Sequence, residues 1–197
     1  MSAQLTITIP VWFDFLFTCP ILAYRLLRYG YTYRRIPLGE GRFTIVEPGD
    51  FYRLNEYRWI ADGTGESIYA VRNIISANES PKFMRMHREI MNDPKGFLVD
   101  HINCNGLDNR RANLRLATYS QNACNNRKRK NTTSVFRGVS FHTQKQCWGV
   151  HLQHQKKRMF LGYFDNEIEA AKTYDAAAKK YHGEFARLNF PESACSV

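Results

Sequence analysis

Residues 100–123 read DHINCNGLDNRRANLRLATYSQNA, and this stretch decides how the middle of the chain folds. Phe97–Ile102, leading into it, has the composition of a short strand. An Asn-, Gly- and Asp-rich loop follows to Asn113, and Leu114–Thr118 reads as a second short strand. Ser120–Asn126 then fits a short helix, with Thr118 or Ser120 as its N-cap. An Asp-His dipeptide on a strand sets a hard oxygen ligand beside an imidazole base. Phosphodiester hydrolysis uses both: a carboxylate holds a divalent ion that neutralises charge on the phosphorane, and an imidazole takes a proton from the attacking water. Spacing alone leaves a purely structural pair open, because Asp100 and His101 face opposite sides of a regular strand.

The whole stretch resembles the HNH homing-endonuclease family, over about residues 36–126. That resemblance implies a β-hairpin and a helix wrapped around one divalent metal ion, Mg²⁺ or else Mn²⁺. It makes Asp100 a metal ligand, His101 the general base and Asn113 the brace of the hairpin loop. The third motif position, at the start of the helix, supplies the other metal ligand. Here it is Asn122, as in one branch of the family, where other members have His; Asn126, one turn further, is the substitute. The implied substrate is double-stranded DNA, cut to leave 5′-phosphate and 3′-hydroxyl ends. Arg110 and Arg111 either contact phosphate beside the scissile bond or form a solvated charged turn. His87 reads as a structural histidine, and Cys104 and Cys124 lack two further ligands for zinc.

Composition agrees with a nucleic-acid partner. The 197 residues are 44% apolar, enough for one or two packed domains and against wholesale disorder. Lys and Arg number 28 against 18 Asp and Glu, a formal charge of +10 that suits a polyanion. Between Asp108 and Asp165 lie 56 residues with twelve Lys or Arg and no acid, so that length does not repel phosphates. The five cysteines are scattered without C-x-x-C spacing, which supports neither a zinc ribbon nor a disulfide framework and reads as reduced thiols. Residues 9–24 are strongly apolar, but Asp14 interrupts them and Pro10 and Pro20 break helical continuity. The remaining run is too short for a bilayer and no basic residue precedes it, so neither a transmembrane helix nor a signal peptide is expected. A packing segment, continuing as a helix into Ala23–Tyr29, is the expectation there.

Residues 36–92 read as short strands and turns. Arg42–Val46 is a strand ended by Pro48-Gly49-Asp50, and Tyr57–Ala61 and Ser67–Arg72 flank a hairpin turn at Asp62-Gly63-Thr64-Gly65. Phe83–Ile90 is either strand or helix. Beyond the nuclease stretch, Arg127-Lys128-Arg129-Lys130 opens a polar linker. Three strands follow, Phe136–His142, Cys147–Gln153 and Arg158–Phe164. A helix over 166–182 has Asn166 and Glu169 as a capping box and Ile168, Ala171, Tyr174, Ala178 and Tyr181 on one face.

Arg137-Gly138-Val139, Trp148-Gly149-Val150-His151-Leu152, Phe160-Leu161-Gly162-Tyr163-Phe164, Tyr174-Asp175 and Leu188-Asn189-Phe190-Pro191 together look like the DNA-binding domain of plant Apetala and ethylene-response factors, over about residues 134–191. The resemblance implies a sheet that enters the major groove with the helix behind it. Alternation directs Trp148, Val150, Leu152, Met159 and Leu161 to the helix. His151, Gln153, Arg158 and Phe160 then face DNA, with Arg137 on the first strand. Ser140 and His142 stand where the plant domains carry arginines, so their sequence preference does not transfer.

The expected fold is α+β. An N-terminal β-rich region leads into a ββα-metal HNH core, followed by a separate three-stranded antiparallel sheet on one helix. Residues 1–35 are an apolar segment without an assigned role, 36–126 the nuclease region with its core at 97–126, 127–133 a basic linker and 134–191 the DNA-binding module. The expected activity is metal-dependent cleavage of double-stranded DNA by a homing-type endonuclease, held at its site by the C-terminal module. The expected setting is the cytoplasm, on nucleoid DNA, with no membrane and no obligate protein partner. The competing expectation is a non-catalytic DNA-binding regulator with a decayed HNH part; an RNA-binding accessory protein rests on charge alone.

Overall fold

A computed structural model describes residues 11–65, 67–74, 82–125 and 132–191. The linker Arg127–Lys130 and Asn126 lie outside the described residues. Helices and antiparallel sheets are mixed, as an α+β chain requires. Two compact units do not follow chain order: one holds residues 1–93 and 105–114, the other 94–104 and 115–197.

In the first unit, α1 runs over Val11–Tyr29 without a break at Pro20. The expected interruption does not occur, although proline removes one i→i−4 bond, at a cost of about 3 kcal/mol. Side chains anchor both halves of the helix. Asp14 pairs with Arg34 at 2.6 Å and accepts from Tyr52 at 2.7 Å, while Arg25 donates to the Tyr33 carbonyl. Nor is α1 a buried packing segment: Phe15, Leu16, Phe17, Tyr24, Leu26 and Leu27 are exposed. Among the described residues, no helix is long and apolar enough to cross a membrane.

Strands β1 (Arg34–Gly39) and β2 (Arg42–Val46) pair antiparallel through Glu40-Gly41, both at positive φ, as a tight primed turn requires. Pro48 does not end the region in a turn as expected. It opens helix α2 (Pro48–Asn55), because its fixed φ and missing N–H suit the first helical position. Leu54 of α2 is fully buried, and the Trp59 indole donates to its carbonyl at 2.7 Å. Strands β3 (Ile60–Thr64), β4 (Ser67–Ile74) and β5 (Lys82–Arg85) form a three-stranded sheet that includes the expected hairpin. The strand-or-helix ambiguity at Phe83–Ile90 resolves into both, with β5 passing directly into α3 (Met86–Ile90).

The loop at 105–114 belongs to this unit because it docks as an added edge on β2. The Ile45 N–H donates to the Leu107 carbonyl at 2.9 Å, and Asn109 N–H returns to Ile45 at 2.8 Å. Buried Thr44 and Asn109 lock the junction at 2.8 Å. Gly106 lets the same loop pass close to β4: a Cβ there would sit 2.3 Å from the Ile68 carbonyl oxygen and 2.6 Å from the Tyr69 ring.

In the second unit, β6 (Leu98–His101) pairs with β7 (Leu114–Ala117), and helix α4 (Tyr119–Asn125) follows. Thr118 is the cap. Its Oγ1 accepts from the Gln121 N–H at 3.3 Å, and the Gln121 side chain accepts from the Thr118 N–H at 2.8 Å, a reciprocal capping box. Strands β8 (Val139–His142), β9 (Cys147–His154) and β10 (Lys157–Phe164) form an antiparallel sheet with β9 central. Helix α5 (Glu167–His182) lies on it, with Asn166 accepting from the Ile168 N–H at 2.8 Å. Val139, Val150, Leu152, Ala170, Ala171, Tyr174 and Ala178 make the core, joined at its edge by Trp148 and Leu161. Three side chains expected inside are elsewhere. Ile168 and Tyr181 are exposed because small alanines take the sheet side of α5, and half-buried Met159 lies outside the core cluster.

Candidate functional site: a buried Asp-His pair beside α4

Strand β6 buries both Asp100 and His101. Burying a carboxylate is costly unless cations and donors surround it. Asp100 Oδ2 accepts from Arg115 Nε at 3.0 Å and Nη2 at 2.9 Å, which brings β7 to β6 through a two-pronged ion pair. The Asn125 amide of α4 lies 3.0 Å from both Asp100 oxygens and 2.9 Å from the His101 carbonyl. The turn after β6 closes through the Cys104 N–H, which donates to the His101 carbonyl at 2.8 Å. Strand, strand and helix thus converge on one carboxylate and on the backbone carbonyl of the histidine beside it.

Asn122, the expected second ligand, is half-buried on α4, three residues before Asn125. Asn126, its substitute, lies outside the described residues. Among the described residues, no three His, Cys, Asp or Glu side chains cluster as a metal site. The donor set expected here is small, the Asp100 carboxylate and the Asn122 amide oxygen, so a divalent ion bound to it would keep several waters. Oδ1 of Asp100 accepts from Asn125 alone among the described residues, so one acceptor direction remains for an ion.

Within the first unit, Asn113 is buried and its amide donates to the Asp108 carbonyl at 2.8 Å, a bracing bond inside the loop. Arg110 and Arg111 are committed to carboxylates. Arg110 grips Asp108 at 2.7 and 2.6 Å and lies 3.5 Å over the Tyr31 ring, and its bond to Asp108 raises its own pKa. Arg111 meets Asp50 at 2.7 and 2.9 Å. Burial pushes the Asp50 carboxyl up, but hydrogen bonds from Arg111 and Arg53 outweigh it and hold the group below the usual carboxylate range.

On the C-terminal sheet, Phe160 pairs with His151 and Arg158 with Gln153, so the four share the face away from α5. A bulge between Phe160 and Gly162 brings Tyr163 to the same face, beside Phe160 at 4.8 Å and under Lys145 at 4.1 Å. Arg137 is not on that face. It precedes β8, and its guanidinium turns to the helix side, donating to Tyr174 at 2.8 Å. Gly138 makes this geometry available, since a Cβ there would sit 2.0 Å from the Tyr174 ring. The Leu188–Pro191 segment is tied down by buried Asp175, which accepts from the Asn189 and Phe190 N–H groups at 2.8 Å.

Sequence reasoning missed Arg115, Asn125 and Tyr163. Arg115 carried a readable signal: it sits between Leu114 and Leu116 on a strand beside one bearing an aspartate. Asn125 did not, because i+3 and i+4 both stay near one helix face.

Comparison with known proteins bears on this site directly. The HNH endonuclease family model matches residues 93–124, which cover β6, β7 and α4 up to Cys124. An uncharacterized HNH endonuclease of Acanthamoeba polyphaga mimivirus is 30% identical over 158 residues, covering 77% of this chain and 76% of that protein. The chain belongs to the HNH endonuclease family. Its reaction class is that of a nuclease. Protein 3.8 of Escherichia phage T7 is 32% identical over 96 residues, covering 48% of this chain and 78% of that protein. The C-terminal region is similar to plant factors: the dehydration-responsive element-binding protein 2A of Arabidopsis thaliana is 39% identical over 72 residues, which are 34% of this chain and 20% of that protein.

Proposed function

We propose that this family member is a homing-type, metal-dependent endonuclease that hydrolyses a phosphodiester bond in double-stranded DNA. The observation that carries the reading is the buried Asp100–His101 pair, with a carboxylate oxygen that, among the described residues, still has an acceptor direction to spare. Asp100 and Asn122 would hold one divalent ion, Mg²⁺ or Mn²⁺. When bound, that ion supplies positive charge for the phosphate oxygens and the leaving oxygen. His101 takes the proton from the attacking water, whose oxygen bonds to phosphorus as the bond to the 3′ oxygen breaks. The products are 5′-phosphate and 3′-hydroxyl ends. Asn113 acts at a distance, by holding its loop closed.

Residues 134–191 bring the enzyme to its site, and residues 36–126 cut. The sheet face of His151, Gln153, Arg158 and Phe160 fits the major groove, where Arg158 would meet guanine O6 and N7. Arg127–Lys130 would contact phosphates without reading bases. Two DNA-binding parts on one chain raise each other's effective concentration on the same duplex. Such an enzyme works on nucleoid DNA in the cytoplasm. The Arg115–Asp100 pair favours one competing reading, a regulator whose carboxylate is permanently neutralised. Incubating the full chain with plasmid and Mg²⁺, with and without EDTA, separates them: metal-dependent strand breaks support the nuclease, and intact plasmid under both conditions supports the regulator.

A further inference from the structure

Asp100 is held by Arg115, and Arg115 is itself held from the far end of the chain. Its Nη1 donates to the Glu184 carbonyl, and its guanidinium carbon lies 4.1 Å over the Phe185 ring. Both residues belong to the short 3₁₀ turn Gly183–Phe185 that ends α5. Two residues on, Arg187 donates to the Cys104 thiol in the turn after β6. Cys104 also contacts the Asn125 carbonyl at 3.1 Å, and it sits at φ 58°, a left-handed backbone that closes the turn tightly. Residues 184–187 therefore touch the Asp-His hairpin at two places, on the strand β7 and at the tip of β6.

Two roles for Arg115 make opposite predictions. As a counter-charge it competes with a metal ion for Asp100. As an orienting group it fixes the carboxylate rotamer and leaves a ligand direction open. The hydrogen-bond pattern decides for orientation. Both Arg115 bonds fall on Oδ2, whereas among the described residues Oδ1 receives only Asn125. We propose that Arg115 is a positioning residue for the metal site, and that its anchors Glu184 and Phe185 make the C-terminal module a structural part of the nuclease centre. This rests on the metal-dependent nuclease reading above. The module at 134–191 then does more than hold DNA: the turn after α5 sets the geometry of the carboxylate that binds the ion.

The test uses the full chain and Mn²⁺ binding followed by electron paramagnetic resonance, alongside duplex affinity in EDTA and the cleavage rate. Arg115→Gln is expected to weaken Mn²⁺ binding by about 10–100-fold, the usual loss when a carboxylate ligand loses its orienting partner. Arg115→Lys keeps the charge but not the planar fork, so it is expected to fall with Gln instead of rescuing. Phe185→Leu keeps apolar bulk and removes the ring beneath the guanidinium. It is expected to shift Mn²⁺ binding in the same direction by a smaller factor, with duplex affinity in EDTA unchanged, and it carries the test if Arg115→Gln does not fold. Native or tighter Mn²⁺ binding in Arg115→Gln, or full rescue by Arg115→Lys, overturns the inference alone. A native chain that neither binds Mn²⁺ nor cuts overturns the nuclease reading and the inference with it.

Discussion

Replacing Asn125 with Ala removes the one side chain of α4 that reaches both members of the Asp-His pair. The amide has two hydrogens and three acceptors within 3.0 Å, so it makes two good bonds at a time. One goes to a carboxylate, worth about 1.5–3 kcal/mol, and one to a carbonyl, worth about 0.5–1.5 kcal/mol. Asn125 is buried, so water does not replace them freely. The expected loss is therefore about 2–4 kcal/mol, felt by the second unit. The slowest-exchanging amides of β9, such as that of fully buried Val150, report the opening of that unit. Their hydrogen exchange should accelerate by roughly 30- to 1,000-fold in Asn125→Ala, since about 1.4 kcal/mol is tenfold. Asn122→Ala, three residues away on the same helix, should leave that exchange nearly native. An Asn125→Ala protein with native exchange would show that the amide does not hold the hairpin to α4, and the reasoning would fail.

Three further outcomes are expected. His101→Ala should lower the cleavage rate by roughly 10²–10⁴-fold at saturating metal, and a loss under about tenfold removes the imidazole from the general-base role. Arg158→Ala should cost about 1–3 kcal/mol on the preferred duplex and much less on a scrambled one; equal losses on both would mean that β10 does not read bases through this residue. Acid should destabilise the second unit. Burial, with the positive charge of Arg158 adding to it, pushes the His151 imidazole down, and burial does the same to His182, partly offset by its contact with the Gln153 carbonyl. The unfolded chain thus binds these protons first, so stability is full above the ordinary histidine value of about 6.5 and falls as pH drops below it. Urea midpoints from pH 7.5 down to about 5 should decline, and His151→Gln should flatten that decline; a rising midpoint contradicts the assignment.

The sequence carried its strongest information where local rules and tertiary demands agree. The strand–loop–strand–helix order of 97–126 is legible because turn residues punctuate it and Thr118 caps its helix. The three strands and helix after residue 134 are legible from the same kind of signal, since alternation places Val150 and Leu152 in the core and helical spacing places Ala171, Tyr174 and Ala178 there, while Ile168, Tyr181 and Met159 depart from it. Pro48 was ambiguous, because Pro-Gly-Asp fits a turn and a helix start equally well; burial of Leu54 under Trp59 decides it. Pro20 misled because the helix runs on through it, with Asp14 before it tied to Arg34 and Tyr52 and Arg25 after it tied to the Tyr33 carbonyl. At the site, Asp100 and His101 could be found from type and order. Their support could not: Arg115 and Asn125 matter through distances that only the folded chain creates, and Arg137 turned inward because Tyr174 offers its hydroxyl.

The measurement that bears most directly on the nuclease account is a comparison of native and Asp100→Ala proteins on one duplex. Binding is measured in EDTA and cleavage in Mg²⁺. Affinity drawn from basic groups outside the Asp-His pair should survive the substitution, because phosphate contacts dominate binding. Cleavage should vanish, because the carboxylate oxygens of Asp100 would be gone and Asn122 alone cannot hold the ion. Cleavage by Asp100→Ala at the native rate, or a parallel collapse of binding and cleavage, would make Asp100 a structural residue and contradict the account.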